Sequence, residues 1–453
     1  MEQSGQMVEE QHSDSHPALL PKPGPAASSD QQRVKRNLKI LVAEVLLCLK
    51  DTLLALGLLA LLEALTLSRH GAPFDVEILH QQGVVPVFLL ALAVPCSYVN
   101  LLVHEGGHLL AGKLVGFWFR GCYVRSFTLT RTRQGLQFTL WPRPRTGGSA
   151  LCYPTGDDSL RLRQGLFVAG GPLASLLLAE VAWLLALGDA ACCTPVAPAG
   201  LFGIDGLLRA AASASPENRL LLWGLMVLAA NAVVLLAWSL FPVTWKWIES
   251  DGWLLFILLL GGPQVDARLL LSALRGYSVR SIRPRQWPEN LAARVVVLTG
   301  KTVYEHLAYV YAYFWALDNG VASAGLLLDQ ALATCATPAA PPPALALEAA
   351  YFEARYRSNI AAAHARLAQG KGKGSEWEQM LVARAEAAIL LAEGHFRQAE
   401  ARAGAGLAAL LADRAGDSNA PLPMEAEHLR ELITEVQRRQ KAAAEQGTLD
   451  AGG

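Results

Sequence analysis

The chain is short of charge. Only 17% of its 453 residues are Asp, Glu, Lys or Arg, against about 25% in an ordinary soluble domain. That shortage argues against a purely soluble enzyme. With 52% hydrophobic residues it also argues against a disordered chain. There is no excess of cations either, because 39 Lys and Arg meet 39 Asp and Glu, and this excludes a generic nucleic-acid binder. Seven cysteines are present (Cys48, Cys96, Cys122, Cys152, Cys192, Cys193 and Cys335) but no C-x-x-C pair. A zinc knuckle and a thioredoxin-type site are therefore not signalled, and the odd, scattered set does not suggest a disulfide framework; they read as small apolar fillers. The first 32 residues are polar, with Pro, Ser and Gln, and read as a disordered tail too long for a cleaved secretory signal.

What is there in quantity is long apolar stretches. A basic cluster (Arg33, Lys35, Arg36, Lys39) precedes a Leu-rich run from Ile40 to Leu67. A bilayer core needs about 20 apolar residues, and spans are expected at about 52–67, 84–115, 166–187 and 220–260, all helical because backbone groups in lipid must be satisfied internally. Lys and Arg alternate between the connecting loops. Four cluster at 33–39 ahead of the first span, one lies in 68–83, nine in 113–165 and two in 188–219. By the charge rule the N-terminus, the large loop and everything after the last span lie inside. The sequence therefore reads as a mainly α, multi-pass protein of the cell membrane with both termini cytoplasmic.

From Gly262 the composition shifts to Ala, Leu, Arg and Glu. Segments starting at Ala316, Ala354 and Leu390 each read as helix, short turn, helix. Their turn residues Gly320, Ser358 and Gly394 are spaced 38 and 36 positions apart (358 − 320, 394 − 358), which resembles degenerate tetratricopeptide repeats. The expected organisation is a tail (1–38), a membrane domain (39–262), a linker (263–290), a soluble helical domain (291–446) that is a candidate site for a protein partner, and a short tail (447–453).

Residues 104–108 read His-Glu-Gly-Gly-His. On a helix, positions four apart share a face, so His104 and His108 can hold one metal while Glu105 reaches a water beside it. Ionisable residues inside a membrane helix are expensive and are functional candidates by default. A catalytic zinc usually takes three protein ligands, and no third histidine falls in a span, so a carboxylate must serve. The candidates are Glu180, Asp205, Glu249 and Asp251. The charge rule puts the first two toward the outer side, whereas Asp251 lies at the inner end of the fourth span, at the depth of the histidines. Asp251 is the expected ligand and Glu249 the fallback.

This arrangement resembles the site-2 protease family of intramembrane zinc metalloproteases over roughly residues 84–260. The family's H-E-x-G-H motif is matched by His104, Glu105, Gly107 and His108, its Gly-Pro motif by Gly171-Pro172-Leu173-Ala174-Ser175, and its Asn/Pro and Asp-Gly element by Asn231, Pro242 and Asp251-Gly252. The resemblance implies one Zn²⁺ held by His104, His108 and Asp251, Glu105 as general base, and Ser175 and Asn231 near the substrate. Two departures touch substrate orientation rather than the metal: Ser175 and Ser239 stand where the family often has Asn. In the loop between the first two motifs, Tyr123–Arg131 and Leu136–Trp141 alternate apolar and polar around a turn at Arg133-Gln134-Gly135, which reads as an inner-side β-hairpin. An exposed edge at Phe127 and Leu129 would pair with an unwound substrate strand. The expected activity is hydrolysis of peptide bonds in membrane proteins or membrane-associated peptides. Competing expectations are a catalytically silent scaffold that recruits partners through the helical domain, a protease component of a peptide-export system, and, least favoured, a transporter.

Overall fold

The computed structural model describes residues 85–132, 135–140, 147–193, 214–245, 248–298, 303–335, 341–372, 376–413 and 423–450, with isolated positions between 42 and 57 and at 207 and 210. The tail, the basic cluster and nearly all of the span expected at 52–67 lie outside the described residues. The architecture is mainly helical with a small antiparallel sheet.

Helix α1 (Val85–Leu114) carries the histidine pair, and α2 (Leu160–Cys193) crosses it. The crossing is tight because both backbones are bare there. A Cβ on Gly107 would sit 2.9 Å from the Gly170 carbonyl carbon and 2.5 Å from Ala174 Cβ. Small residues at a crossing let helix backbones approach, so the second glycine of the motif is a packing requirement. Helix α3 (Pro216–Leu240) completes the trio, its start capped by Ser215 with Pro216 in the first turn.

Two of these helices are long and apolar enough to cross a membrane. Leu160–Cys192 has a mean hydropathy of 1.7 and Asn218–Leu240 of 2.4 in their most apolar stretches. Their outward faces bear leucines, such as Leu173, Leu177, Leu184 and Leu221, that are more than half exposed, as expected of surface meant for lipid.

Residues 220–260, expected as one span, are three pieces. Pro242 cannot continue the ladder of α3, and the chain turns through a minimal hairpin, β5 (Thr244–Trp245) with β6 (Ile248–Glu249), before α4 (Asp251–Leu260) begins. Ser250 fastens this break. Its hydroxyl accepts from Trp253 N and Val243 N, both at 3.1 Å, and donates to Phe241 O at 2.6 Å. Helix α5 (Pro263–Val279) then departs at 114° to α4. Gly261 and Gly262 make the bend, with φ of 74° and 105°, which is backbone that favours glycine. If the bent pair counts as one span, three candidate spans are present among the described residues.

The loop between α1 and α2 is more than the expected hairpin. It forms four antiparallel strands, β1 (Phe117–Val124), β2 (Phe127–Thr132), β3 (Gly135–Leu140) and β4 (Gly148–Pro154), in the order β3-β2-β1-β4. Phe127 pairs with both Val124 and Leu140, and Leu129 with both Cys122 and Phe138. The expected open edge at Phe127–Leu129 is therefore corrected: β2 is an interior strand, and the free edges are β3 and β4. Local alternation found β2 and β3 but could not show that β1 and β4 flank them. Arg125, buried at the β1–β2 turn, donates to Ser97 Oγ at 2.6 Å and lies over the Tyr98 ring, tying the sheet to α1.

The segment expected as a linker is structured. It contains α5 and the start of α6 (Glu289–Val296), and α5 lies so close to β4 that a Cβ on Gly276 would meet the Pro154 backbone. Three helical hairpins follow: α7 (Val303–Asp318) with α8 (Ala324–Ala333), α9 (Pro343–Tyr356) with α10 (Ile360–Gly370), and α11 (Glu376–Ala392) with α12 (Phe396–Asp413). The three turn residues read from the sequence fall between these partners with positive φ, Gly320 at 66°, Ser358 at 53° and Gly394 at 82°. Helix α13 (Pro423–Asp450) closes the stack and runs into the segment set aside as a tail. One apolar core is continuous from Phe117, Leu160 and Phe167 through Leu258 and Leu274 into these helices. The sheet and the helical domain thus lie on the same side of the apolar helices.

Candidate metal centre

Helix α1 carries a buried polar stripe in an otherwise apolar sequence: Ser97, Asn100, His104, Glu105 and His108. The helical repeat puts His104 and His108 one turn apart, with ring centroids 4.9 Å from each other. Asp251, 143 residues further on (251 − 108), is delivered by the break before α4. Its Oδ2 lies 3.1 Å from His104 Nε2 and 3.5 Å from His108 Nε2. Among the described residues this is the one group of three or more His, Cys, Asp or Glu side chains whose donor atoms all lie within 4.8 Å of one another.

Each motif glycine clears space for this convergence. A Cβ on Gly171 would come within 2.6 Å of His108 Cε1 and 2.8 Å of His104 Nε2. A Cβ on Gly252 would lie 2.8 Å from Leu240 Cα, blocking the approach of α4 to the end of α3. Neither position accepts a side chain without moving the ligands.

The far side of each imidazole is fixed by a hydrogen bond. His108 Nδ1 lies 3.0 Å from the Phe167 carbonyl, which can only accept, and 3.3 Å from the Gly171 N–H, which can only donate; with the Nδ1 proton given to the shorter contact, Nε2 keeps its lone pair. His104 Nδ1 is 2.9 Å from Ser175 Oγ, a hydroxyl able to accept the same proton. Ser175 is thereby placed behind a histidine, as a group that orients the ring. Two nitrogen lone pairs and a carboxylate oxygen then face one another. A proton would serve one pair of these acceptors, whereas a divalent cation serves all three. The donor set, two imidazoles and one carboxylate, is one that zinc takes in catalytic sites.

Glu105 is 4% exposed, and its Oε2 has no hydrogen-bond partner among the described residues. The Ala150 backbone bonds its carboxylate, which lies within electrostatic reach of His108 and Asp251. A Cβ on Gly148 would strike the same side chain, 2.6 Å from Glu105 Cδ. The open edge of β4 therefore borders Glu105.

Not every expected residue joins the site. Glu249, the fallback ligand, has both oxygens engaged elsewhere, with Tyr304 and Arg268. Asn231 is buried in α3 with its Nδ2 unpartnered among the described residues. Phe127 and Leu129 sit in the sheet's interior strand, and Asp205 lies outside the described residues. Sequence reasoning missed the Phe167 carbonyl and the Ala150 backbone, which leave no residue-type signal.

No protein-family model, no curated protein and no solved structure matches the chain.

Proposed function

We propose that the protein is an intramembrane zinc metalloprotease resembling the site-2 proteases. The observation that carries this reading is the convergence of Asp251 Oδ2 on His104 Nε2 and His108 Nε2 with an unpartnered Glu105 carboxylate oxygen beside them. His104, His108 and Asp251 would hold the ion. When bound there, zinc supplies Lewis-acid polarisation of the scissile carbonyl and acidifies a water. Glu105 takes the proton of the attacking water on Oε2 and passes it to the leaving amine. Ser175 and the Phe167 carbonyl keep both imidazoles in the ligating tautomer. The membrane helices are α1, α2 and α3 with α4, the apolar run at 52–67 is a further span by composition alone, and both termini are cytoplasmic by the distribution of Lys and Arg.

Purified chain carrying Glu105→Gln is expected to keep one zinc and to lose cleavage by at least the ~10²–10⁴-fold that general-base catalysis contributes. Fragments present in wild-type membranes should vanish in this variant. Cleavage at the wild-type rate would remove Glu105 as the base, and a wild type that binds no zinc would remove the assignment.

An unwound substrate segment pairs along β4, the free edge that Glu105 touches. Proline at Ala150 deletes the backbone donor on that edge, the same one that bonds the Glu105 carboxylate, so the variant tests both roles of that N–H together. The expected result is loss of cleavage with zinc content unchanged, and full cleavage by Ala150→Pro would exclude this strand.

A further inference from the structure

Asp251 is the first residue of a ten-residue helix. A helix that short has little stability of its own, so its neighbours set where the carboxylate points. At the far end of α4, Arg161 from the start of α2 donates to the Leu258 carbonyl at 2.5 Å and to the Leu259 carbonyl at 2.7 Å. At the near end, Glu249 stands two residues before Asp251 and is gripped from the C-terminal helices. Arg268 Nη1 on α5 lies 2.5 Å from Glu249 Oε2. The Tyr304 hydroxyl on α7 donates to Glu249 Oε1 at 2.7 Å and accepts from Arg268 Nη1 at 2.9 Å. The guanidinium carbon lies 5.0 Å from the centre of the Tyr304 ring.

A lone surface ion pair would carry little. This one differs in three ways. Both side chains are only about a quarter exposed (25% and 23%), both carboxylate oxygens are engaged, and the aromatic ring holds the guanidinium from its face. It also spans the 114° bend between α4 and α5. We propose that Glu249, Arg268 and Tyr304 are positioning residues through which the helical domain holds the Asp251 carboxylate against His104 and His108, so that metal affinity is adjustable from that domain. This rests on the metal-site reading above. A partner that shifts α5 or α7 would be sensed at the ligand through three side chains and two peptide units.

The test is zinc affinity of the full chain in detergent, measured by competition with a chromophoric chelator, alongside thermal unfolding of the metal-free protein. Arg268→Ala is expected to weaken zinc binding by up to about 10-fold, the low end of the cost of losing a group bonded directly to a ligand, because it acts through Glu249. Arg268→Lys should recover part of that loss. Tyr304→Phe keeps the ring and removes only the hydroxyl, so it carries the test if Arg268→Ala does not fold; a several-fold weakening is expected. The metal-free unfolding midpoint of Tyr304→Phe should stay at the wild-type value. If wild type binds one zinc and folded variants bind it equally tightly, the positioning role is overturned while the metal site stands. If wild type binds no zinc, the metal site is overturned and this inference with it.

Discussion

Two of the buried charged clusters among the described residues are built on opposite plans. In the helical domain Arg384 is fully buried. Glu348 lies 2.5 Å from it, Glu425 is bonded to it, the Tyr351 ring is 4.3 Å from its guanidinium carbon, and Tyr313 donates to Glu348 at 3.2 Å. The chain supplies that cluster's cation covalently. In the apolar half, His104, His108 and Asp251 present acceptors to one another, and no Lys or Arg completes the group among the described residues. Burying charge is tolerable only when it is paired or coordinated. The first cluster pairs its charges internally and reads as architecture, although Arg384 Nε and Nη2, Glu348 Oε1 and Glu425 Oε1 make no hydrogen bond among the described residues. The second pairs its charges only with a cation from outside, and reads as a binding site.

The sharpest way to break the comparison is to remove the single carboxylate of the second cluster. Asp251→Ala should weaken zinc binding by more than the roughly 100-fold seen for loss of an outer-shell group, with helix content unchanged. Isothermal titration or chelator competition reads it, and retained affinity would put the third ligand elsewhere.

Removing the resident cation of the first cluster should act on stability and spare the metal. Arg384→Met strands two buried carboxylates, and breaking a buried pair this way costs about 3–5 kcal/mol. Denaturant unfolding should show that loss, while zinc stoichiometry at low temperature stays at wild type. Lost zinc in a folded Arg384→Met protein would mean the two clusters are not separable.

The smallest effect is in pH. Burial pushes Glu425 up to about 7, partly offset by Arg384. It pushes His428 down to about 4, with Arg384 acting in the same direction. A raised carboxyl binds its proton more tightly in the folded state, so its contribution is present at low pH and is lost as pH rises from about 4.5 to about 7. A lowered imidazole contributes fully at neutral pH and loses that contribution as pH falls from about 6.5 to about 4. The two oppose each other between. Glu425→Gln removes the first slope only. Its stability relative to wild type should rise with pH from about 4.5 to about 7, as followed by urea midpoints, and a flat difference would place the titration on another group.

Legibility differed between the two halves for a physical reason. The helical hairpins were readable because a turn favours glycine where the backbone is left-handed, and Gly320 and Gly394 announce it, whereas Ser358 marks its turn by position and adopts the same backbone without favouring it. His104 and His108 were readable because the 3.6-residue repeat alone puts them on one face. The sheet order was not, since alternation in Phe127–Leu129 is the same for an edge strand and an interior one. The stretch 220–260 was legible only in part for a related reason: the polar break before Trp253 shows in the sequence, but hydropathy does not register a hairpin of four paired residues tied by Ser250.

The amino-acid sequence alone determined that this chain carries apolar helices, a polar helix face bearing His104, Glu105 and His108, and a helical C-terminal half, because each is a periodicity within one segment. Only the tertiary structure decided that Asp251 rather than Glu249 meets the imidazoles, that Ser175 and the Phe167 carbonyl stand behind their rings, and that β4 rather than β2 borders Glu105. Those outcomes depend on which backbones approach closely at Gly107, Gly171 and Gly252, and close approach is a property of pairs of elements that no single segment encodes.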